Sequence, residues 1–435
     1  MVMLSGWGRN PRLDCTRRRM SSRQDAVAIL DRYPSLIPRG NGRAYGDAAL
    51  NTDCVLETLR SDRILAFDTR TGTIQCEAGL LLADLLAFSI PRGFFPPVTP
   101  GTKFVTIGGM VAADVHGKNH GAAGSFSRHV ESLEMMLADG RAVSCSPQQE
   151  AELFWATCGG MGLTGLILTA SFRLIRVETG MIRQRAIKTG KLDETMALME
   201  SESTATYSVA WVDALSDTAH GRAVVYLGEH AKRDEVRDAG LTPPPPVRLS
   251  VPCDLPSFLL NHRTARLFAT AYYNRASDGS TLIPYDRYFY PLDALGAWNR
   301  CYGAAGFLQY QCVVPRAAGR MAIGALLDRI KAAGEAAFLA VLKLFGAADP
   351  GYLSFPMEGY TLALDFPAKP GIPALLAALD EIVAGAGGRL YLAKDARSGP
   401  EMLHGYPMLS RFRAVREAVD PHHRFASAQS IRLGL

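Results

Sequence analysis

The one Gly-x-Gly-x-x-Gly run in this chain, Gly160-Met161-Gly162-Leu163-Thr164-Gly165, has its neighbours in the wrong order for the common dinucleotide fold. That fold needs a strand before the glycines and a helix after them, so that a pyrophosphate meets the helix N-terminus. Here Glu152-Leu153-Phe154-Trp155-Ala156-Thr157 reads as a helix and comes first, while Leu166-Ile167-Leu168-Thr169-Ala170-Ser171-Phe172 reads as a strand and follows. The run is read as a tight helix-to-strand turn, which disfavours nicotinamide-dinucleotide binding on it.

Two further glycine-rich segments lie upstream. Arg39-Gly40-Asn41-Gly42-Arg43-Ala44-Tyr45-Gly46-Asp47 spaces its glycines so that backbone N–H groups can converge on an anion without Cβ obstruction, and adds two arginines and a tyrosine. Pro100-Gly101-Thr102, followed by Thr106-Ile107-Gly108-Gly109-Met110-Val111-Ala112-Ala113, offers a second small-residue surface for a planar or phosphate-bearing ligand. Alone, the first reads as an ordinary glycine-rich turn; the pair reads as a cradle. Directly after it, Asp114-Val115-His116-Gly117-Lys118-Asn119-His120 brings an imidazole and an ammonium. His116 and His120 stand four apart, a metal-binding spacing on a helix, but no Glu follows His116 and Gly117 weakens any helix, so no metal site is expected. His116 is then either a hydrogen-bonding group at a ligand edge or a satisfied core histidine.

At 435 residues, 48% hydrophobic and 20% charged, the chain exceeds one compact core and is expected to form two ordered domains. A net charge of +5, from 47 basic and 42 acidic residues spread along the chain, is too mild for a nucleic-acid footprint but compatible with an anionic substrate or membrane surface. Eight cysteines without a CxxC pair read as reduced thiols in the core. No stretch reaches the roughly 18 apolar residues of a spanning helix, and the N-terminus has no signal-like apolar run.

Helical spacing covers 23–33, 81–89 and 150–157, and strand patterns fall at 35–38, 54–59, 64–68, 73–78, 131–137 and 165–176, so the first part reads as α+β. Beyond about Val177 the glycine loops stop. Residues 239–280, with Pro243-Pro244-Pro245-Pro246, read as the least regular region, either a lid or membrane-facing flap or a plain connection. Strands are expected at 307–314 and 360–366, a helix at 373–384 and an extended segment at 389–394. Lys343 and Lys394 each sit in an apolar run; each is either a strand-face lysine reaching solvent or a lysine with a task.

Taken in this order, the two glycine segments and the His116 segment resemble the vanillyl-alcohol-oxidase-type FAD-linked oxidoreductases, and within them the branch that oxidises polyprenylphosphoryl ribose. Ser5-Gly6-Trp7-Gly8-Arg9, Tyr290-Pro291-Leu292-Asp293, Trp298-Asn299-Arg300, Gly306-Phe307-Leu308-Gln309-Tyr310-Gln311, Lys343-Leu344-Phe345-Gly346 and Ala393-Lys394-Asp395 extend the resemblance along essentially the whole chain. It implies an α+β, two-domain fold: an FAD-binding domain from 1–178 and a returning 389–435, with an antiparallel-sheet substrate domain, 179–388, inserted between. It also implies FAD contacts from Arg39, Gly40, Asn41, Gly42, Arg43, Ala44, Tyr45, Gly46, Asp47, Gly101, Thr106, Ile107, Gly108, Gly109, Ala113, Asp114, Val115, His116, Ile167 and Tyr391. Many relatives carry in the first loop a histidine bonded to the flavin; Arg43 stands there, implying a non-covalent cofactor. The implied substrate residues are Trp211, Tyr290, Gln309, Gln311, Lys343, Phe345, Asp365 and Lys394, with Lys394, His116, Tyr45, Gln311 and Lys118 around the chemistry. Ala363 stands where the mycobacterial enzymes have a pocket cysteine, and Thr361 replaces a nearby asparagine.

The resemblance further implies oxidation of the 2′-hydroxyl of a polyprenyl-phosphate-linked ribose, the first half of an epimerisation that makes an arabinose donor for cell-wall polysaccharide, completed by an NAD(P)H-dependent short-chain reductase partner. Lys394 serves as base or stays cationic, and Lys118 lies near the flavin. The alternatives are a sugar-alcohol or aldonolactone oxidase acting on a soluble substrate, and a flavin-binding scaffold without turnover. The expected location is cytoplasmic, with contact to the inner membrane, and a periplasmic location stays open.

Overall fold

A computed structural model describes the chain except residues 217, 219, 245–248, 257–258 and 336. Strands β1 (Val2–Ser5) and β2 (Arg12–Cys15) pair as a hairpin, and β3 (Arg17–Arg19), β4 (Ile37–Arg39) and β5 (Val55–Glu57) form a small parallel sheet in the order β3-β5-β4. Then come β6 (Ile64–Asp68), β7 (Thr73–Glu77), β8 (Phe94–Phe95), β9 (Val130–Met136), β10 (Ala142–Cys145), β11 (Leu166–Arg173) and β12 (Ile175–Arg176). Five of these make an antiparallel sheet, β10-β9-β11-β7-β6, and β8 pairs with β12. The expected helices appear at Arg23–Arg32, Leu82–Ser89 and Ala151–Thr157. The first carries a capping box from Ser22 and Asp25, which satisfies two backbone donors at its start.

The rest of the chain builds one eight-stranded antiparallel sheet from β13 (Met181–Thr189), β14 (Tyr207–Asp213), β15 (Arg222–His230), β16 (Gly279–Pro284), β17 (Phe307–Pro315), β18 (Ala340–Phe345), β19 (Gly359–Pro367) and β20 (Arg389–Leu390). Their spatial order is β16-β13-β15-β14-β18-β19-β17-β20. Side chains alternate across a strand, and this alternation decides the sheet's two faces. Leu308, Tyr310, Cys312, Leu342, Leu362, Leu364 and Phe366 pack with helices Leu192–Ser201, Arg316–Ala332 and Ile372–Gly385 into one core. Their neighbours Gln309, Gln311, Lys343, Ala363 and Asp365 therefore turn to the other face, towards the glycine loops.

Two expectations need correction. The segment 389–394 is extended only to Leu390; Lys394 and Asp395 then donate their N–H groups back to the Tyr391 carbonyl at 2.9 and 3.1 Å, so Lys394 rides on a turn. The region 239–280, read as irregular, contains a fourteen-residue helix, His262–Arg275. A capping box of Asn261 and Thr264 starts that helix, and Ala265 and Ala269 are its only fully buried residues, too small an apolar stripe to stand out in sequence. Of the proline run, Pro245 and Pro246 lie outside the described residues. All eight cysteines are free and six are buried.

Candidate active site

The first glycine loop is held by its surroundings. Trp7 and Gly8 donate backbone N–H groups to the carbonyls of Ala44 and Tyr45 at 2.8 and 3.0 Å, and Tyr45 donates its own to Ala393 at 2.9 Å. The last bond joins the loop to the Lys394 turn. Gly46 permits that join, because any Cβ there would overlap the Asp395 carbonyl. Gly40 likewise lies against the Thr106 hydroxyl, and Asn41 donates to the Phe104 carbonyl at 2.8 Å, so the two loops lock together. Thr106 in turn caps the helix Ile107–Ala112 by accepting from Gly109 N–H at 3.2 Å.

Between these loops and the open face of the large sheet lies a cleft of about 1770 Å³, solvent at its mouth included. Its floor and walls include Arg39 through Tyr45, Gly101, Thr106, Gly108, Gly109, Ala113, Val115, His116, Ile167 and Tyr391; the facing sheet and turn contribute Gln309, Gln311, Lys343, Ala363 and Lys394. The two lysines thus face the cleft.

Other residues named from sequence stand behind this wall. Asp47 accepts from Arg432 at 2.8 Å, Gly46 packs on the Asp395 carbonyl, and Ile107 is core. Asp114, at φ 37°, accepts from the Ser127 N–H at 2.9 Å and the Ser354 hydroxyl at 2.5 Å; burial and the Asp349 carboxylate push it up to about 7. Lys118 donates to the Tyr288 carbonyl with its ammonium 4.1 Å from that ring's centre, and burial and Lys343 push it down to about 7. Tyr290 is fully buried and shares a hydrogen bond of 2.5 Å with Thr99, and Trp211 packs against Tyr272 with the rings tilted and their centres 4.4 Å apart. Phe345 packs its ring against His116 at 4.9 Å and His120 at 4.5 Å.

Sequence reasoning left out Trp7, Trp298, Leu339, Val341, Met161 and Gly162, all of which line the cleft. Val341 could have been found, being two residues from Lys343 on the same strand face. The glycine turn at 160–165, dismissed as a nicotinamide motif, lines the cleft as the plain turn into β11.

The electrostatics inside are one-sided. Lys394 sits with its ammonium 3.7 Å from the Tyr45 ring centre, and burial lowers its affinity for a proton, while the Asp365 carboxylate opposes this. Asp365 accepts from Gln309 Nε2 at 2.5 Å, and burial raises it. Burial also pushes Lys343 down to about 8. Burial first, then Lys343, His120 and Lys394, hold His116 well below its usual range, so its imidazole is neutral. Burial raises Tyr45 well above the ordinary phenol range.

Among the described residues that line the cleft, two buried side-chain donors meet no protein partner. Gln311 Nε2, which also bonds the Thr361 hydroxyl at 3.2 Å, lies 3.0 Å from His116 Nε2; with the amide so oriented Nε2 accepts, and the ring proton is on Nδ1, which no protein atom meets. Arg43 Nε is similarly orphaned, its guanidinium 3.8 Å above Trp7. A glycine cradle, a stranded guanidinium and a stranded imidazole N–H fit a large ligand carrying both phosphate and a hydrogen-bonding ring.

The FAD binding domain family matches residues 20–146. The decaprenylphosphoryl-β-D-ribose oxidase of Mycolicibacterium smegmatis is 38% identical over 99% of this chain and 97% of its own length. The chain belongs to the decaprenylphosphoryl-β-D-ribose oxidase family. An uncharacterised Streptomyces coelicolor protein from the mprA 5′ region is 38% identical over 81% of this chain and 99% of its own, whereas the L-gulonolactone oxidase of Bos taurus is 29% identical over 31% of each. The likeness to the lactone oxidase thus covers a third of the chain, and that to the decaprenylphosphoryl-β-D-ribose oxidase all of it. Membership makes the protein an FAD-dependent oxidoreductase acting on a CH–OH group. Among the described residues no helix is long and apolar enough to cross a membrane.

Proposed function

We propose that this chain oxidises the 2′-hydroxyl of a polyprenylphosphoryl-β-D-ribose to the ketone, in a cleft where FAD is held without a covalent bond. The observation that carries the reading is the pair Lys343 and Lys394, both facing the cleft, with the buried Asp365 carboxylate acting on Lys394. The Lys343 ammonium, which keeps its proton up to about 8, favours an anionic substrate, as a phosphodiester is, and Lys394 can lose its own proton beside it without removing that charge. Arg43 supports the non-covalent mode, since a guanidinium over Trp7 replaces the nucleophilic imidazole of covalent relatives.

We assign FAD to Arg39–Tyr45, Gly101, Thr106, Gly108, Gly109, Ala113, Val115, His116, Ile167 and Tyr391, within a cofactor domain of 1–178 and 389–435. Asp47, Gly46, Ile107 and Asp114 act on it from behind the wall. Bound there, FAD supplies the hydride acceptor. The chain's own part is to orient the sugar carbon and take the hydroxyl proton. Lys394 is the group we assign to that proton, because burial favours its neutral amine, and Asp365 moderates the effect. The Nδ1–H of His116 donates into the site, held in that tautomer by Gln311. Tyr45, whose phenol stays protonated, and Gln309 orient the sugar, while Lys343 holds the phosphate. Trp211, Tyr290, Phe345 and Lys118 support these groups from the second layer. A 2-keto sugar that must become the epimeric alcohol needs a hydride donor, so an NAD(P)H-dependent reductase partner follows.

The deciding experiment is an anaerobic titration of the FAD-loaded protein with polyprenylphosphoryl ribose, followed by flavin absorbance. Bleaching is expected, and Lys394→Met should keep its flavin yet bleach about a hundredfold more slowly or worse. Bleaching by free aldonolactones but not by the lipid-linked sugar would overturn the reading.

A further inference from the structure

The exposed apolar side chains of this protein are unevenly placed. Among the described residues, Leu249, Leu259, Leu267, Phe268, Leu282, Leu292 and Leu295 are all exposed large hydrophobics, whereas outside 249–295 only Met1, Met3, Leu65, Met321 and Ile431 are. This stretch of chain reaches the cleft: Leu292 lines it, and Leu295 closes the same turn by donating its N–H to the Leu292 carbonyl at 3.2 Å. Leu249 is next to them, since its carbonyl accepts from Gly296 at 2.8 Å. From Leu249 the chain leads to the helix His262–Arg275.

That helix has two unlike faces. Both buried residues point inward, Ala269 against Trp211 and Val224 and Ala265 against Leu215. Positions 263, 267, 271 and 275 recur every four residues on the outer side, with Phe268 beside them, so Arg263, Leu267, Phe268, Ala271 and Arg275 share one exposed face. Leu267 is 72% and Phe268 53% exposed, values a soluble surface seldom spends on large apolar groups side by side.

The charge on this region is equally one-sided. The helix contains no Asp or Glu. The four acids between 249 and 295 are all engaged: Asp254 with Arg9 at 2.6 Å, Asp278 with the Lys188 N–H at 2.7 Å, Asp286 with Lys103, and Asp293 with the Thr102 hydroxyl at 2.8 Å and the Lys103 N–H at 2.7 Å. Arginine beside leucine and phenylalanine, with the local carboxylates turned to other partners, complements an anionic bilayer interface, where apolar side chains enter the acyl boundary and guanidinium groups stay among headgroup phosphates.

We infer that the outer face of helix His262–Arg275, continued by Leu249, Leu292 and Leu295 to the cleft mouth, docks the protein on a membrane containing anionic lipid. The inference extends the proposed substrate, whose polyprenyl chain resides in a bilayer and whose sugar must reach the cleft. Docking by this face puts the cleft mouth beside the lipid, so the substrate's head enters without its tail crossing water.

The test uses the full-length, FAD-loaded protein in flotation with vesicles of phosphatidylglycerol and phosphatidylcholine in equal parts, and with phosphatidylcholine alone. Wild type should float with the mixed vesicles and weakly with the neutral ones. The double variant L267S/F268S should lose roughly tenfold or more of its partitioning, and R263E/R275E should lose its preference for the anionic vesicles. Both should keep wild-type flavin content and turnover of a short-chain substrate analogue. A wild-type protein that stays at the bottom with both vesicles would overturn the inference, as would variants that float unchanged, or a face that captures a purified reductase rather than lipid. Turnover of the lipid-linked sugar in detergent is scored separately, so absence of flotation with intact turnover removes the docking face alone, and flotation without turnover removes the proposed substrate while keeping the face.

Discussion

Single side chains set the chemistry through burial and charge. Lys343 illustrates the cost: its ordinary value of 10.5 falls to about 8 because the cleft strips its ammonium of water. Unfolded, the amine keeps its proton up to 10.5; folded, it gives that proton up near 8, so the penalty is complete below pH 8 and disappears above 10.5. Lys343→Met should therefore stabilise the substrate-free protein by about 1–2 kcal/mol at neutral pH, allowing for solvent in the open cleft. The gain should vanish above about pH 10.5, while binding of the phosphate-bearing substrate weakens at neutral pH, where the ammonium is charged. Denaturant titrations at pH 7 and above 10.5 check this, and an equal gain at both would remove the charge explanation. The sequence marked Lys343 and Lys394 as unusual, but a lysine in an apolar run is ambiguous until the opposite wall is known.

At the scale of elements, β17 and β19 were legible because their residues alternate, and the alternation itself points Gln309, Gln311 and Asp365 to one face; β18 reads in sequence only as an apolar run around Lys343, and its pairing with β19 sets Lys343 on that face. The turn after β20 was not legible. Tyr391-Leu392-Ala393-Lys394 looks like a strand, and only the bonds from Lys394 and Asp395 to Tyr391 bend it. Gly46 is the matching half of that junction. Gly46→Ala should cost about 1–3 kcal/mol, because the added carbon meets backbone that cannot move aside as a side chain would. Turnover should fall with it, since Lys394 rides on the displaced turn; an unchanged melting temperature and rate would show that the junction yields freely. Helix His262–Arg275 escaped sequence reading for a related reason: its inward stripe is two alanines, and its leucine and phenylalanine point outward.

Over the whole molecule, the cofactor cleft has one wall from the glycine loops and one from the large sheet, so a ligand in it bridges both. FAD at about a hundredfold over its Kd should add about 2.7 kcal/mol to stability and raise Tm by a few degrees. Stripping the cofactor should reverse this, and a Tm indifferent to FAD would argue that the cleft binds something else. What the sequence alone determined was local: glycines where Cβ atoms would collide, alternation that sorts a strand's two faces, and a helix-then-strand order that rules out the usual nucleotide turn. Tertiary structure decided which of the flagged residues meet. It brought Lys394 from the C-terminal part against Tyr45, turned Lys118 towards Tyr288 instead of into the cleft, and left His116 Nδ1 without a partner among the described residues. Local pattern is written in the spacing of neighbours, whereas a side chain's partners and its loss of water depend on packing between segments hundreds of residues apart.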